Sequence, residues 1–330
     1  MYTTASSLVE YAWTAKGGDR AMPVLAAGVD IGGSHVSVGI VDCEKRLVAR
    51  RTAGHNHVGS PSKVSRLAAD LLEDCLEECS RGFGGDAARL TGVGIGVPGL
   101  VKQPSGIVAI APNLGWKEVD AASEFRRALG SFTGNIAIDN DANLAALGEW
   151  AAGAGAGRRV VVCITLGTGI GGGIVVDGLI YHGALGFAGE IGHIKVFEDG
   201  PPCACGGRGC LETLASGTAI GRAGSRALGR DVTAREVFDA AREGDERAAA
   251  VVTEAARSLG AGISTVANIL NPHVVVLGGA VALAGEVLLR PAVEEMRRLT
   301  MAPAVPELVT AALGLDAAII GGAALFLRCG

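Results

Sequence analysis

Short apolar runs closed by glycine or Asp-Gly alternate along the chain with longer stretches whose apolar residues recur at helical spacing. Val24–Asp42, VLAAGVDIGGSHVSVGIVD, reads as strand, glycine turn, strand, with Gly32, Gly33 and Ser34 at the turn. Val160–Gly178, VVVCITLGTGIGGGIVVDG, has the same layout. The pair is a weak internal repeat, which predicts two similar halves, each opening with a hairpin whose tip is lined by backbone N–H groups. Between them, SKVSRLAADLLEDCLEECSRG has the spacing of an amphipathic helix, LTGVGIGV is a buried strand ending at Pro98-Gly99, and NIAIDNDANLAALGEW is a strand running into a helix at Asp139-Asn140-Asp141. Farther on, TAIGRAGSRALG, the long segment from Thr233 to Leu270, and PAVEEMRRLT read as helices. PHVVVLGG is a strand that opens through Gly278 and Gly279 into a helix, and the final AAIIGGAALFLRC reads as a helix that packs back on the first half.

The 330 residues suit about two domains. With 49% hydrophobic residues but only 4% aromatics, the core is built from Ala, Val, Ile and Leu, as in a layered α/β protein. The net charge is −5 and no basic stripe is present, which argues against nucleic acid as a partner. No run of ~18 apolar residues free of charges predicts a membrane span. Residues 1–22 lack a basic start followed by an apolar core; they read as a flexible extension rather than a signal peptide. Cys43, Cys75, Cys79, Cys163 and Cys329 are scattered, in keeping with reduced thiols and a cytoplasmic location.

G-x-G-x-x-G occurs at Gly94/Gly96/Gly99 and at Gly167/Gly169/Gly172, but neither match lies between a strand and a helix, so a dinucleotide fold is not expected; no P-loop motif is present. The two glycine-rich hairpins offer another means of holding phosphates, with Ser34, Thr165 and Thr168 adding hydroxyl donors and Asp30 able to hold Mg²⁺ through water. Taken singly, each is equally an ordinary hairpin. Asn140 and Asp141 sit where a cap is expected, yet three capping-capable residues in a row exceed what a cap needs. The segment HIKVFEDGPPCACGGRGCLE places His193, Cys203, Cys205 and Cys210 together, the ligand set of a closed structural zinc site, with a redox cluster as the alternative. Such a metal would fix the flanking Glu190 and Glu212, two carboxylates suited to adjacent hydroxyls of a sugar.

From about Pro23 onward the chain resembles the ROK family of sugar kinases and sugar-responsive repressors, through DIGGS, LTGVGIGVPGLV, APNLGW, DNDAN, TLGTGIGGG, GEIGHI, CACGGRGCLE and NPHVVVLGG in order. The resemblance implies an α/β, actin-like ATPase (RNase H-like) fold of two domains, residues 23–138 and 139–316, with residues 317–330 returning to the first. ATP would bind in the cleft between them. Carried over by position, Asp141 matches the catalytic base, and Gly99, Asn113, Asn140, Glu190, His193 and Glu212 match sugar contacts. Asp30, Gly32, Gly33 and Ser34 match the first phosphate loop, Thr168, Gly169 and Gly171 the second, and Gly278 and Gly279 the adenosine side. His193 would then serve both zinc and sugar. Ser34 stands where the family usually has Thr, and His35 follows where a small, polar or Lys residue is more usual. Residues 1–22 are too few for the DNA-binding helices of the repressor members. The implied function is an ATP- and Mg²⁺-dependent kinase of the C6 hydroxyl of glucose or a close analogue, acting as a homodimer. An amino-sugar kinase (kanosamine, N-acetylmannosamine), a cyclitol kinase and a sugar-sensing repressor are the alternatives.

Overall fold

Odd and even positions of the first apolar run face two different layers. The structure, a computed structural model describing residues 24–82 and 89–327, forms β1 at Val24–Ile31, β2 at His35–Asp42, β3 at Leu47–Gly54, α1 at Pro61–Gly82 and β4 at Arg89–Val97. Then come β5 (Leu100–Lys102), β6 (Ile107–Ala111), β7 (Trp116–Asp120), α2 (Ala121–Ala128) and β8 (Asn135–Asn140). Leu25, Ala27, Val29 and Ile31 of β1 pack with Val64, Ala68, Leu71, Leu72, Cys75 and Cys79, the helix-spaced apolar face of α1. Burial pushes the Cys75 and Cys79 thiols up to about 12 and about 11, which leaves them inert.

The second half repeats the plan with α3 (Asp141–Ala152), β9 (Val160–Leu166), β10 (Ile170–Val176), β11 (Leu179–Ile180), α4 (Glu212–Ala215), α5 (Gly217–Leu228), α6 (Ala234–Arg242), α7 (Glu246–Leu270), β12 (Val274–Gly278), α8 (Glu286–Leu299), β13 (Glu307–Thr310) and α9 (Ala317–Ala324). The sheets have matching orders, β3-β2-β1-β4-β8 and β11-β10-β9-β12-β13, each a hairpin meander continued by two parallel strands; β5-β6-β7 form a small third sheet. The internal repeat seen in the two glycine-turn hairpins is thus a repeat of whole sheets.

In β9, Val162, Ile164 and Leu166 face α7 through Leu259 and Ile263, while Val161 and Cys163 face Ala146 and Leu147 of α3. In β1, Ala26 faces Ile319, Ile320 and Ala323 of α9. Helices α3 and α9 therefore form a middle layer, each seated on a different sheet, and they meet through Leu144, Ala145, Ala317 and Ala318. The contact is backbone to backbone. A Cβ on Gly148 would run into the Ala317 carbonyl, and one on Gly321 into the Leu144 carbonyl. Glu149, only 1% exposed, closes this layer. Its carboxylate accepts N–H bonds from Ala154 (2.8 Å), Ala312 (3.1 Å) and Leu313 (2.8 Å), tying the end of α3 to the approach to α9.

Several elements differ from the sequence reading. The long helical segment after Thr233 breaks at Gly244, whose φ of 93° ends α6, and Asp245 caps α7. The run after Gly279 is a short turn at Ala282–Ala284, and α8 begins at Glu286 with Pro291 inside it. The final helix ends at Ala324; residues 328–330 and the expected extension 1–22 lie outside the described residues. No helix among the described residues is long and apolar enough to cross a membrane.

Glu149→Gln replaces a three-acceptor carboxylate with an amide whose NH₂ faces backbone N–H donors. It should lower stability by about 2 kcal/mol or more, read from the urea midpoint. An unchanged midpoint would show that the tie contributes nothing.

Candidate active site

The parallel pairing of β4 with β8 brings Val97 opposite Asn140, so two strand ends deliver their turns to one edge of the first sheet. Asn140 is the N-cap of α3: its Oδ1 accepts from the N–H groups of Ala142 (2.8 Å) and Asn143 (3.1 Å), and its Nδ2 donates to the Gly99 carbonyl (2.9 Å). The cap is thus filled by Asn140 alone, which leaves Asp141 as the first helical residue, half-buried, with one oxygen accepting from Ala142 N–H at 2.9 Å. Burial raises the Asp141 carboxyl above its ordinary value, against the lowering pull of the Ala142 and Asp141 N–H groups. The backbone of Gly96 passes directly beneath; a Cβ there would sit 3.2 Å from Asp141 Cα.

Both hairpin tips reach this edge. Asp30, at the end of β1, is pushed up to about 7 by burial, then by the charge of Asp141, with Arg50 pulling the other way. A buried carboxylate held back from ionising in this way is one that a divalent cation would relieve. In the first turn Gly32 N–H is taken by the His35 carbonyl (2.8 Å), and exposed Ser34 bonds through Oγ to His35 Nδ1 (2.8 Å). His35 therefore orients the Ser34 hydroxyl. Asn113 packs against Gly33, placing a sugar-side candidate beside the first turn. In the second turn Thr168 is exposed, and Glu212 Oε2 accepts from Ile170 N–H at 2.9 Å. A Cβ on Gly169 would collide with that carboxylate, and one on Gly171 would crowd Thr165 Oγ1.

Glu190 stands 3.8 Å from His193 Nε2. Burial raises its carboxyl, His193 lowers it, and Asp141 and Glu212 raise it again. Asp30, Asp141, Glu190, Glu212 and His193 thus share one electrostatic neighbourhood, with Gly99, Asn140 and Asn113 at its rim. The other ring nitrogen of His193, Nδ1, lies 3.5 Å from Cys203 Sγ, and Cys205 Sγ lies 3.6 Å from Cys210 Sγ. All four donors fall within 4.8 Å of one another. Tetrahedral zinc, with Zn–S of about 2.3 Å and Zn–N of about 2.0 Å, spaces sulfurs about 3.8 Å apart and sulfur from nitrogen about 3.6 Å, so the cluster is compatible with a structural zinc. Lys195 Nζ, 2.8 Å from Cys210 Sγ, offsets the charge of three thiolates.

A cavity of about 1050 Å³ lies not at Asp141 but beside the second turn, lined by Gly167, Thr168, Thr218, Arg222, Val281 and Leu283, among others. Gly217 N–H donates to the Gly167 carbonyl (2.8 Å), which sets the start of α5 beside Thr168. Gly278 is buried in β12, and Gly279 packs on the Leu166 backbone. Both shape the turn that presents Ala280 and Val281 to the cavity rather than lining it themselves.

Sequence reasoning missed Thr218, Arg222, Lys195 and His182. It noted Asp139 only as one of three capping-capable residues. Asp139 is in fact buried, accepting from Asn140 N–H (2.7 Å), Asn143 Nδ2 (2.9 Å) and His182 Nε2 (2.6 Å).

Three relatives place this geometry. A glucokinase of Halalkalibacterium halodurans is 38% identical over 89% of this chain and 92% of its own. The ROK hexokinase of Thermus thermophilus superposes with a TM-score of 0.79 at 34% identity, covering 91% of this chain and 97% of that one. A ROK family glucokinase of Streptomyces griseus, in complex with glucose and AMPPNP, gives 0.73 at 33% identity, over 92% and 100%. The two sheets of matching order on a shared middle layer are the actin-like ATPase fold. The ROK family model matches residues 26–329, and with it the chain belongs to the ROK family.

Proposed function

We propose that this protein is an ATP-dependent hexose kinase that transfers the γ-phosphoryl group to the C6 hydroxyl of glucose. The observation that carries the reading is Asp141, an ionisable carboxylate at the first turn of α3, which interacts electrostatically with Asp30 at the end of β1 and with Glu190, itself beside His193 and Glu212. The glucokinase relatives and the neighbour that holds glucose and AMPPNP support it.

Asp141 orients the primary hydroxyl in line with the γ-phosphorus and accepts its proton. Phosphoryl transfer passes through a loose transition state, so this alignment matters more than basicity. Glu190, Glu212, His193 and Asn113 bind the ring hydroxyls, with Asn140 and Gly99 closing the rim. The turns at Gly32–Ser34 and Thr168–Gly171 receive the phosphates through their hydroxyls and through N–H groups other than those of Gly32 and Ile170, which are already bonded, and the cavity lined by Arg222, Val281 and Leu283 takes the adenosine. Mg²⁺, when bound, neutralises phosphate charge; Asp30 is the carboxylate that would hold it. His193, Cys203, Cys205 and Cys210 would hold a structural zinc, which would fix His193 and the start of α4, and with them Glu190 and Glu212. Closing of the lobes about the β8–α3 junction excludes water from the transfer. The family likeness extends the reading to a homodimer in the cytoplasm.

Asp141→Asn keeps the shape and removes the charge. Glucose turnover should fall by at least ~10² while glucose binding by calorimetry changes far less; near-normal turnover would remove Asp141 from the reaction. Elemental analysis should find about one zinc per chain, and Cys205→Ser should lower both zinc content and melting temperature. Active protein free of metal would end the zinc assignment. A site built to hydrogen-bond hydroxyls penalises unpaired groups, so galactose should be a poor acceptor, while an amino-glucose, whose ammonium pairs with Glu190 and Glu212, should be accepted. Equal rates on glucose and galactose would contradict this arrangement.

A further inference from the structure

Residues 181–189 form a strap that begins and ends on the second sheet. Tyr181 N–H donates to the Ile174 carbonyl (2.8 Å), Ala188 N–H closes the strap on the His182 carbonyl (3.1 Å), and Gly189 rests on the backbone of Gly172. Its middle crosses to the small β5-β6-β7 sheet, which is tied in turn to β8 of the first sheet. Gly186 is packed against the Val101 carbonyl and Gln103, and Gln103 Nε2 donates to the Ile138 carbonyl (2.8 Å). One residue farther along β8, Asp139 takes His182 Nε2 at 2.6 Å. The next residues of β8 and α3 are Asn140 and Asp141; the residue after the strap is Glu190. The Asp139–His182 contact is therefore the point where the segment delivering Glu190 is fastened to the turn carrying Asp141.

We propose that His182 is a positioning residue for phosphoryl transfer: its ring, donating to Asp139, holds the strap against the strand end that carries Asn140 and Asp141 and, when protonated, offsets the charge of Asp139. The inference rests on the reading of Asp141 as the base. Asp139 is 4% exposed with both oxygens engaged, so it can neither move nor be rehydrated while the pair is intact. The charged groups bearing on this turn are Asp30 from β1, Asp139 from β8, Asp141 from α3, Glu190 and His193 beyond the strap, Glu212 from α4 and, through Asp30, Arg50 from β3. Carboxylates dominate. An unpaired, charged Asp139 two residues from Asp141 would raise the Asp141 carboxyl further and keep it protonated at higher pH.

The hydrogen bond to Asp139 raises the His182 ring above its ordinary value, with burial opposing. The sign follows: the pair's contribution is complete below the ordinary imidazole range and is lost as pH rises through the raised value. Loss of the His182 charge thus acts on the base from the alkaline side, whereas protonation of Asp141 silences it from the acid side.

The test compares wild type, His182→Gln, His182→Ala and Asp141→Asn in the glucose and Mg-ATP assay across pH. His182→Gln keeps a donor to Asp139 and removes the charge, so the acid limb of its kcat profile should move up by about half a unit or more. His182→Ala should lose roughly tenfold in kcat and raise the glucose KM, because the strap that delivers Glu190 is released. In the wild-type protein the His182 ring, followed by nuclear magnetic resonance, should titrate above the ordinary imidazole value, a reading that needs no variant to fold. An unshifted acid limb in His182→Gln, or a ring that titrates at or below the ordinary value, would overturn the inference while a silent Asp141→Asn left the base in place. Near-normal turnover by Asp141→Asn would remove base and inference together.

Discussion

The backbone contact between α3 and α9 is the constraint on which the site depends. Each helix sits on one sheet and touches the other through its partner, at a separation that Gly148 and Gly321 permit because neither carries a Cβ. A larger residue at either position would push the sheets apart and take the two hairpin turns with them, since the turns are the free ends of β1–β2 and β9–β10. The first residue of α3 is Asp141, so the helix that joins the halves also fixes the carboxylate between them. Glu149 locks its other end onto the approach to α9. Position at one end and cohesion at the other are thus set by a single twelve-residue helix.

Electrostatics imposes a second constraint. A sugar site wants carboxylates to receive hydroxyls, and a phosphoryl-transfer site tolerates few of them. Burial raises Asp30, Asp141 and Glu190, and the charge of neighbouring carboxylates raises Asp30 and Glu190 further. Glu212 is instead held by the Ile170 N–H, and Asp139 by three donors. Peptide and imidazole donors, rather than arginine or lysine side chains, carry much of this compensation.

The doubled hairpin, the helical period of α1 and the Asp139–Asp141 junction were legible because each rests on local pattern: strand alternation, a repeat of i and i+4 apolar positions, and capping chemistry. The Cys/His cluster was legible because thiol and imidazole at that spacing serve few purposes other than metal. The cavity beside Thr168 was not, since Thr168, Arg222 and Val281 come from three separate segments brought together only where α5 starts beside the second turn. His182 was missed for the same reason: a lone histidine in a loop carries no period, and its partner lies 43 residues away. The break at Gly244 shows the reverse case, where apolar period continued through a turn that one glycine and a capping aspartate impose.

The central claim is that the two turns and Asp141 converge on a primary hydroxyl. The most direct measurement is the phosphorus and carbon magnetic resonance spectrum of the product formed from glucose and Mg-ATP. A single phosphomonoester on C6, with no product from 6-deoxyglucose, is the predicted result. Phosphate on C1 or another ring carbon, or ADP release without a sugar phosphate, would contradict it.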